Sequence, residues 1–219
     1  MALDAMYGSQ RYNGRIVNAP GPDLRERARR AVLKEITDAA NRLFIEHGYE
    51  TTTIDDIARA VGMSRRSVFR YFPTKEDIVV GKFDFVAEEM LSALRGRPPE
   101  EPVWESLRGV FDLLVPYVDA PGRQEVAEPM QRVVFATPAL FARYLQKLQR
   151  MQDAAEQALR ERAALSHRPY GADDPTPRAI VGAAFGCLLA AQHAWLAGGA
   201  KATFADTIDR AMASVGPRT

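Results

Sequence analysis

Apolar residues recur every three or four positions along most of the chain, a spacing typical of amphipathic α-helices. Such patterns cover residues 74–96, 103–118, 138–165 and 203–215, and Pro116 is expected to distort the second of them. No segment shows the strict alternation of apolar and polar residues that a half-buried strand would have. The pattern therefore predicts an all-α fold.

Two short helices joined by a tight turn are predicted before residue 74. Thr53 can cap the first helix, with Asp56 reaching back to complete a capping box, and Ser64 can cap the second. Gly62 lies between them, where a residue without a side chain can adopt the left-handed conformation of a sharp turn. Pro73 ends the second helix because its ring disfavours helical geometry in the preceding residue. This arrangement predicts a helix-turn-helix, with a longer amphipathic helix in front of it.

The second short helix carries side chains suited to reading DNA. A recognition helix presents its N-terminal side chains to base edges in the major groove. Arg65 and Arg66 can each donate two hydrogen bonds to guanine, and Ser67 can bond a base or a phosphate. Tyr71 and Lys75 suit phosphate contacts. A basic run on its own would be better explained as a solvated face, so the surrounding motif carries the prediction.

Residues 24–79 resemble the TetR family of repressors. The likeness rests on Gly48-Tyr49, Thr51-Thr52-Thr53, Ile57-Ala58, Gly62, Ser64, Tyr71-Phe72 and Lys75-Glu76 at the family's spacings. The resemblance implies DNA contacts from Thr53, Ser64, Arg65, Arg66, Ser67, Phe69, Tyr71 and Lys75, with Thr53 and Lys75 on phosphates. Arg66 stands where the family often has glycine, and Phe69 where it often has tyrosine. The operator sequence therefore cannot be inferred.

Residues 179–200 are apolar around the whole circumference of a predicted helix, so protein or lipid has to cover it. TetR-like regulators dimerise through their last two long helices, which implies a homodimer formed through residues 179–215. Gly182 and Gly186 would allow helices to approach closely there. A membrane anchor is the alternative, because the length suffices and Gly-x-x-x-Gly is a membrane packing motif. Gln192 and the excess of alanine over leucine weaken that alternative.

Residues 128–148 resemble the TetR subgroup with an acyl-CoA-like ligand-binding C-terminal domain, most clearly from Arg132 to Leu140. This resemblance implies that the effector is a long acyl thioester or another elongated apolar molecule. The expected ligand-binding residues are Phe111, Tyr117, Arg132, Phe135, Phe141 and Tyr144, with Arg132 as a polar anchor. Each aromatic residue is individually better explained as plain core, and Arg132 can instead pair with Glu128 on the same helix face.

Charge and cysteine content restrict the classes of partner. A net charge of +1 over 219 residues gives no general attraction to DNA or to anionic membranes, so local clusters at residues 25–34 and 65–70 have to provide it. With Cys187 alone, no internal disulfide can form, which fits a cytoplasmic location. Residues 1–23 lack the apolar run of a secretory signal and are expected to be a disordered arm. The basic residues of this arm could enter a minor groove, but a free tail explains them more simply.

No pattern in the sequence indicates catalysis, a metal or a cofactor. Cys187 and His193 are six residues apart on one predicted helix, about a third of a turn off a common face, so they do not form a nucleophile–base pair. His47 and His167 lack cysteine or carboxylate companions at metal-ligand spacing. A glycine-rich phosphate loop is also missing. We therefore expect a protein that is not an enzyme.

The sequence thus divides into an arm at 1–23, a helix-turn-helix domain at 24–73, and a ligand-binding and dimerisation domain at 74–219. The expected function is that of a repressor whose dimer binds a pseudo-palindromic operator on double-stranded DNA. A small apolar or acyl-CoA-like effector is expected to release it.

Overall fold

The computed structural model describes residues 24–119, 124–199 and 201–216, without the side chains of Glu26, Tyr117 and residues 82–85 and 124–126. The predicted arm, with Arg11 and Arg15, lies outside the described residues, and so does the side chain of Tyr117. Within the described ranges the chain forms ten α-helices and no β-strand. The all-α prediction is confirmed.

Four helices form the N-terminal part of the molecule: α1 (Leu24–His47), α2 (Ile54–Ala60), α3 (Arg65–Tyr71) and α4 (Lys75–Gly96). Helix α2 packs between α1 and α3, and α1 also packs along α4. The side chains buried among the four helices include Ile36, Phe44, Ile57, Val68 and Ile78. The helix-turn-helix therefore rests on a core that α1 and the start of α4 provide.

The predicted caps and the turn between α2 and α3 are confirmed. Thr53 Oγ1 accepts the N–H of Asp56 at 3.2 Å, and the Asp56 carboxylate accepts the N–H of Thr53 at 3.0 Å, which completes the capping box. These bonds from Thr53 hold the pKa of Asp56 below its ordinary value. Ser64 Oγ accepts the N–H of Ser67 at 3.1 Å at the start of α3. Gly62 has φ +64°, the left-handed conformation that the sequence predicts there.

Six helices follow: α5 (Val103–Phe111), α6 (Val115–Val118), α7 (Gln124–Ala136), α8 (Pro138–Leu165), α9 (Thr176–Ala197) and α10 (Phe204–Val215). Helix α4 packs along α8, α8 packs on α9, and α9 packs on α10. Because α4 contacts both α1 and α8, it belongs to both halves of the protein. A shift of α4 would therefore move the helix-turn-helix relative to the C-terminal helices.

The structure divides the single helix that the pattern over residues 103–118 predicts. Helix α5 ends at Phe111, and α6 begins only at Val115. Pro116 explains the break, because proline has no N–H to donate and its ring collides with the carbonyl four residues earlier, that of Asp112. The expected distortion at Pro116 is thus a complete interruption of the helix.

The break between α5 and α6 brings a capping residue to the start of α10. Asp119 directly follows α6, and its carboxylate accepts the N–H groups of Phe204 at 2.9 Å and of Ala205 at 3.1 Å. Both N–H groups belong to the first turn of α10, which would otherwise leave them unpaired. Asp119 thereby fixes α6 to the start of the last helix.

Among the described helices, α9 is long and apolar enough to cross a membrane by length and composition. Half of its most apolar 18-residue window is buried inside the protein, where Val181, Leu188 and Trp195 face α8 and α10. A stripe of small residues on the other face stays exposed: Ala179, Gly186, Ala190, Ala194 and Ala197. The described part of the chain therefore covers one side of α9 and leaves the other exposed.

Candidate DNA-binding surface and effector site

Helix α3 lies on the surface with its basic face in solvent. Val68 is fully buried and fixes α3 to α1 and α2, whereas Arg65, Arg66 and Arg70 are exposed. Phe69 is 37% exposed, which is high for so large an apolar side chain. Helix α3 is therefore an accessible rod whose free face carries three arginines and one aromatic ring.

Two contacts within the protein hold Arg65 in place. Its Nη1 lies 3.2 Å from Asp55 Oδ2, and its guanidinium carbon lies 5.4 Å from the centre of the Phe69 ring. Both members of the ion pair are more than half exposed, so the pair contributes at most about 1 kcal/mol and a phosphate or a base can displace it. Arg66 and Arg70 form no ion pair or side-chain hydrogen bond within the described residues. These two guanidinium groups are available to a partner.

The hydroxyl groups predicted at the DNA surface mainly serve as caps. The hydroxyl oxygens of Ser64 and Ser67 are 2.9 Å apart, and that of Ser64 also accepts the N–H of Ser67. Thr53 donates its hydroxyl hydrogen to the Asp56 carboxylate at 2.6 Å. A phosphate near Thr53 would therefore have to compete with Asp56. The helix ends that these caps order carry the partial positive charge that attracts phosphate.

Lys75 points towards the protein rather than outward. Its Nζ donates to the carbonyl oxygens of Tyr49 at 2.8 Å and of Thr52 at 3.2 Å, and it lies 4.0 Å from the centre of the Tyr49 ring. An ammonium group has three N–H donors, so one remains for a phosphate. The structure thus shows a bracing role for Lys75 that the sequence does not predict.

Tyr49 and Glu76 complete this brace between the α1–α2 loop and α4. The Tyr49 hydroxyl donates to Glu76 Oε1 at 2.7 Å. Burial and the neighbouring Glu76 raise the pKa of Tyr49, so the hydroxyl stays protonated. Burial opposes ionisation of Glu76, but the hydrogen bonds from Tyr49, from the backbone N–H of Glu76 and from Thr74, together with the charge of Lys75, outweigh it, and the pKa of Glu76 falls below its ordinary value. Sequence reasoning missed this contact because Tyr49 and Glu76 are 27 residues apart.

Three of the predicted ligand residues form one aromatic group around α7, α8 and α9. The ring centre of Phe135 lies 5.2 Å from Phe141, 5.9 Å from Tyr144 and 4.6 Å from His193. Tyr144 is fully buried, and its hydroxyl donates to Gln192 Oε1 at 2.7 Å. Burial raises the pKa of Tyr144. Phe135 and Phe141 are half-buried, so this group reaches the surface beside the exposed His193.

Phe111 lies apart from that group and lines a narrow apolar crevice. The crevice is bounded by Ala87, Met90, Leu91, Leu94, Leu107, Val110, Phe111, Met151, Ala155 and Phe185, and its volume is about 10 Å³. The rings of Phe111 and Phe185 meet edge to face with centres 5.4 Å apart. A volume of this size holds about one water molecule. The crevice is therefore closed in this conformation.

Arg132 is exposed and serves as a link between helices. It pairs with Glu128 at 2.7 Å and donates to the carbonyl oxygen of Leu196 at 2.9 Å, near the end of α9.

A larger, open and mostly charged cleft of about 440 Å³ lies between α1, α4 and α8. None of the five predicted ligand residues whose side chains the structure describes lines that cleft. The structure therefore does not gather these five into one pocket.

Cys187 lies in the interior of the protein, on α9. Cys187 is buried, its Sγ donates to the carbonyl oxygen of Ala211 at 3.4 Å, and burial raises the pKa of its thiol. Within the described ranges, no cluster of three or more His, Cys, Asp or Glu residues is suited to a metal ion.

Comparison with known proteins identifies relatives of both halves. Residues 36–80 match the family model of bacterial regulatory proteins of the tetR family, and residues 99–219 match that of the MftR C-terminal domain. The HTH-type transcriptional regulator TcmR of Streptomyces glaucescens is 32% identical over 166 residues, which cover 74% of this chain and 71% of TcmR.

Solved structures share the fold. FadR from Bacillus subtilis in complex with stearoyl-CoA aligns with a TM-score of 0.55 and 19% identity, covering 82% of this chain and 95% of that one. Thermus thermophilus FadR, a TetR-family transcriptional repressor in complex with lauroyl-CoA, aligns with a TM-score of 0.52 and 19% identity, covering 85% of this chain and 96% of that one. At 19% identity, these two alignments show a shared fold alone.

Proposed function

Since this chain belongs to the TetR family of transcriptional regulators, we propose that it is a repressor that releases its operator when an apolar effector binds. The observation that carries the proposal is the exposed face of α3. Arg66 and Arg70 have no partner among the described residues, and Arg65 is restrained by two surface contacts, an ion pair with Asp55 and the ring of Phe69. Exposed guanidinium groups without a partner inside the protein favour contact with a polyanion such as DNA.

The side chains of α3 divide into base-reading and positioning groups. Arg65 and Arg66 lie in its first turn, where side chains reach base edges, and Ser67 and Phe69 extend the same surface. Thr53, Ser64, Tyr71 and the remaining N–H of Lys75 position the backbone phosphates. Positioning contacts hold the register on DNA without selecting its sequence.

Dimerisation through α9 and α10 brings two copies of this DNA-binding surface together. The stripe of alanine and glycine on α9 is apolar, exposed and narrow, so a second copy of α9 can approach it closely. Residues 24–73 then act as the reading head, residues 74–219 as the ligand-binding and dimerisation domain, and residues 1–23 as an arm. We assign this dimer to the cytoplasm and give it no catalytic role.

Effector binding has to change the conformation of the C-terminal domain. The apolar crevice beside Phe111 is closed, so a ligand that enters it must separate α4 from α5 or from α8. Helix α4 is also joined to the helix-turn-helix of its own chain. Moving α4 therefore changes the distance between the two recognition helices of the dimer. The effector releases DNA only if it binds this open state better than the DNA-competent one. An acyl-CoA or a similar elongated apolar molecule, as named for the two FadR structures, is the proposed class.

Selection of bound duplexes from a random DNA pool, followed by footprinting, tests the proposal. We expect a pseudo-palindromic site with two protected half-sites about 34 Å apart, because a two-fold dimer places its recognition helices in successive major grooves. A single unpaired half-site, or no enrichment of any sequence, would contradict the dimeric repressor.

A further inference from the structure

One charged side chain is buried at the C-terminal end of α8. Arg162 lies in the last turn of this helix, and only 5% of its surface is exposed. Its Nη2 donates to the carbonyl oxygen of Pro98 at 2.7 Å, whereas Nε and Nη1 are buried without a hydrogen-bond acceptor. Burying unpaired N–H groups costs free energy, and burying a charge costs more. Arg162 therefore lacks the partners that a buried guanidinium needs.

Arg162 is hydrogen-bonded to no carboxylate among the described residues. Glu101 accepts a hydrogen bond from Arg97 Nε at 2.7 Å and another from the buried Ser106 hydroxyl at 2.6 Å. These two bonds lower the pKa of Glu101 to about 2, so it is ionised at neutral pH. Burial lowers the pKa of Arg162, and the attraction of Glu101 is smaller than this effect. The nearby carboxylate is thus bonded to Arg97 and Ser106, and Arg162 has no negatively charged hydrogen-bond partner of its own.

This cluster lies beyond one end of the apolar crevice. Met151 and Ala155 line the crevice from α8, and Arg162 shares their face because seven residues make nearly two helical turns. On the opposite wall, Leu107 lines the crevice and directly follows Ser106. The path along α8 from Met151 to Arg162 is about 16 Å long.

We propose that Arg162 anchors the carboxylate of an unbranched carboxylic acid whose apolar chain occupies the opened crevice. The inference rests on the proposed function, in which the C-terminal domain takes an apolar effector, and it narrows the ligand to a free acid. A carboxylate can accept hydrogen bonds from the unpaired N–H groups of Arg162 and gives the guanidinium a negatively charged partner. An ester or a thioester has no charge to place beside the guanidinium.

Calorimetric binding of three probes to the full chain tests the anchor: dodecanoate, methyl dodecanoate and dodecanoyl-CoA, each below its micellar concentration. We expect wild-type protein to bind the acid at least about tenfold more tightly than the ester, because a charge-assisted hydrogen bond is lost with the ester. Arg162→Met should remove this preference, and Arg162→Lys should keep part of it. Arg95→Met is the matched control, since Arg95 is an exposed arginine that pairs with Glu161 nearby.

The outcomes separate the anchor from the effector response as a whole. Equal affinity of wild-type protein for acid and ester overturns the anchor, and so does a preference that survives in Arg162→Met. Loss of thermal stability in Arg162→Met with an intact preference assigns the arginine a structural role only. If that variant does not fold, wild type and Arg162→Lys decide the question. If dodecanoyl-CoA releases DNA from wild type and Arg162→Met alike, while wild type binds the acid no more tightly than the ester, the effector response stands and the anchor fails. If none of the three probes binds, the anchor is also wrong.

Discussion

At the residue scale, the guanidinium of Arg65 lies between the Asp55 carboxylate and the ring of Phe69. The sequence predicts that Arg65 faces DNA, but it does not predict the restraint by Asp55, because that contact depends on how α2 packs against α3. An acidic side chain beside an arginine that is proposed to read DNA would also repel phosphate. Asp55 is therefore expected to reduce binding to all sequences and to limit contacts with the wrong base.

Replacing Asp55 with asparagine should strengthen DNA binding with little regard to sequence. Removing one exposed ion pair and one negative charge changes the free energy of binding by about 1 kcal/mol, so the gain should be less than about tenfold. Dissociation constants on selected and random duplexes at two salt concentrations measure it. Glu105→Gln, which neutralises an exposed residue of α5, is the control. Unchanged or weaker binding to both duplexes by Asp55→Asn would show that Asp55 does not restrain Arg65.

Replacing Lys75 with methionine should affect both stability and DNA binding. The variant loses two hydrogen bonds from a charged donor, and we expect a destabilisation of about 1–3 kcal/mol, seen as a lower melting temperature. If the third N–H binds phosphate, the dependence of log affinity on log salt should also decrease by about one. Lys201→Met, at an exposed position, should change neither quantity. A lower melting temperature with an unchanged salt dependence would leave Lys75 as a brace without a phosphate contact.

At the element scale, the helix boundaries follow closely from local sequence signals. Thr53 and Ser64 each accept the backbone N–H three residues later, as their positions predict, and Thr74 does the same at the start of α4. The pattern does not delimit α7, because Pro129 lies inside that helix and helical spacing alone does not locate its ends. Local signals therefore fix helices that begin with a cap more reliably than helices that do not.

The sequence does not indicate how the predicted effector-binding residues are arranged in space. Phe111 and Phe135 both fit an apolar pocket by composition, yet one lines the closed crevice and the other packs on His193. Arg162 gave no signal at all, because an arginine in the last turn of a helix normally interacts with the helix dipole in solvent. Its burial follows from the way α8 packs against the loop at Pro98. Side-chain type and spacing do not report such packing.

The ion pair of Glu101 predicts a pH dependence of stability. Its pKa is lowered from an ordinary 4.5 to about 2 in the folded protein by Arg97 and Ser106. A group with a depressed folded pKa contributes stability above its unfolded pKa, and this contribution is lost as the pH falls towards the folded pKa. Wild-type stability should therefore decrease between about pH 4.5 and pH 2, and Glu101→Gln should show a shallower decrease. Urea unfolding across this range measures both slopes.

The neighbouring Glu100→Gln variant is the control for this pH series, since Glu100 is exposed and forms no ion pair among the described residues. Parallel slopes for Glu101→Gln and wild type would mean that the bonds from Arg97 and Ser106 do not stabilise the folded protein.

At the scale of the whole molecule, α4 connects the two halves of one chain, and α9 is the proposed contact with a second chain. Helix α4 connects the reading head to α8, so it can transmit a change in the crevice to α3. Helix α9 buries one face in the chain and leaves its stripe of small residues exposed. The sequence predicts an apolar α9 that must be covered, and the structure adds which face remains uncovered.

A glutamate on the stripe of α9 should prevent dimer formation without unfolding the chain. A Cβ atom added at Gly186 meets nothing within 4 Å, so Gly186→Glu is sterically free in a single chain. In the proposed dimer the same carboxylate would be buried without a partner, which is strongly unfavourable. Sedimentation velocity should show a monomer, and Ala142→Glu, at an exposed position of α8, should remain a dimer. A dimeric Gly186→Glu would place the interface elsewhere.

The most direct test of the central claim, that the exposed face of α3 reads the sequence of DNA, compares Arg65→Ala with wild type on the selected operator and on a random duplex. We expect a loss of about 1–3 kcal/mol on the operator and a much smaller loss on the random duplex, because a base contact is removed. Equal losses on both duplexes, or none on the operator, would contradict it.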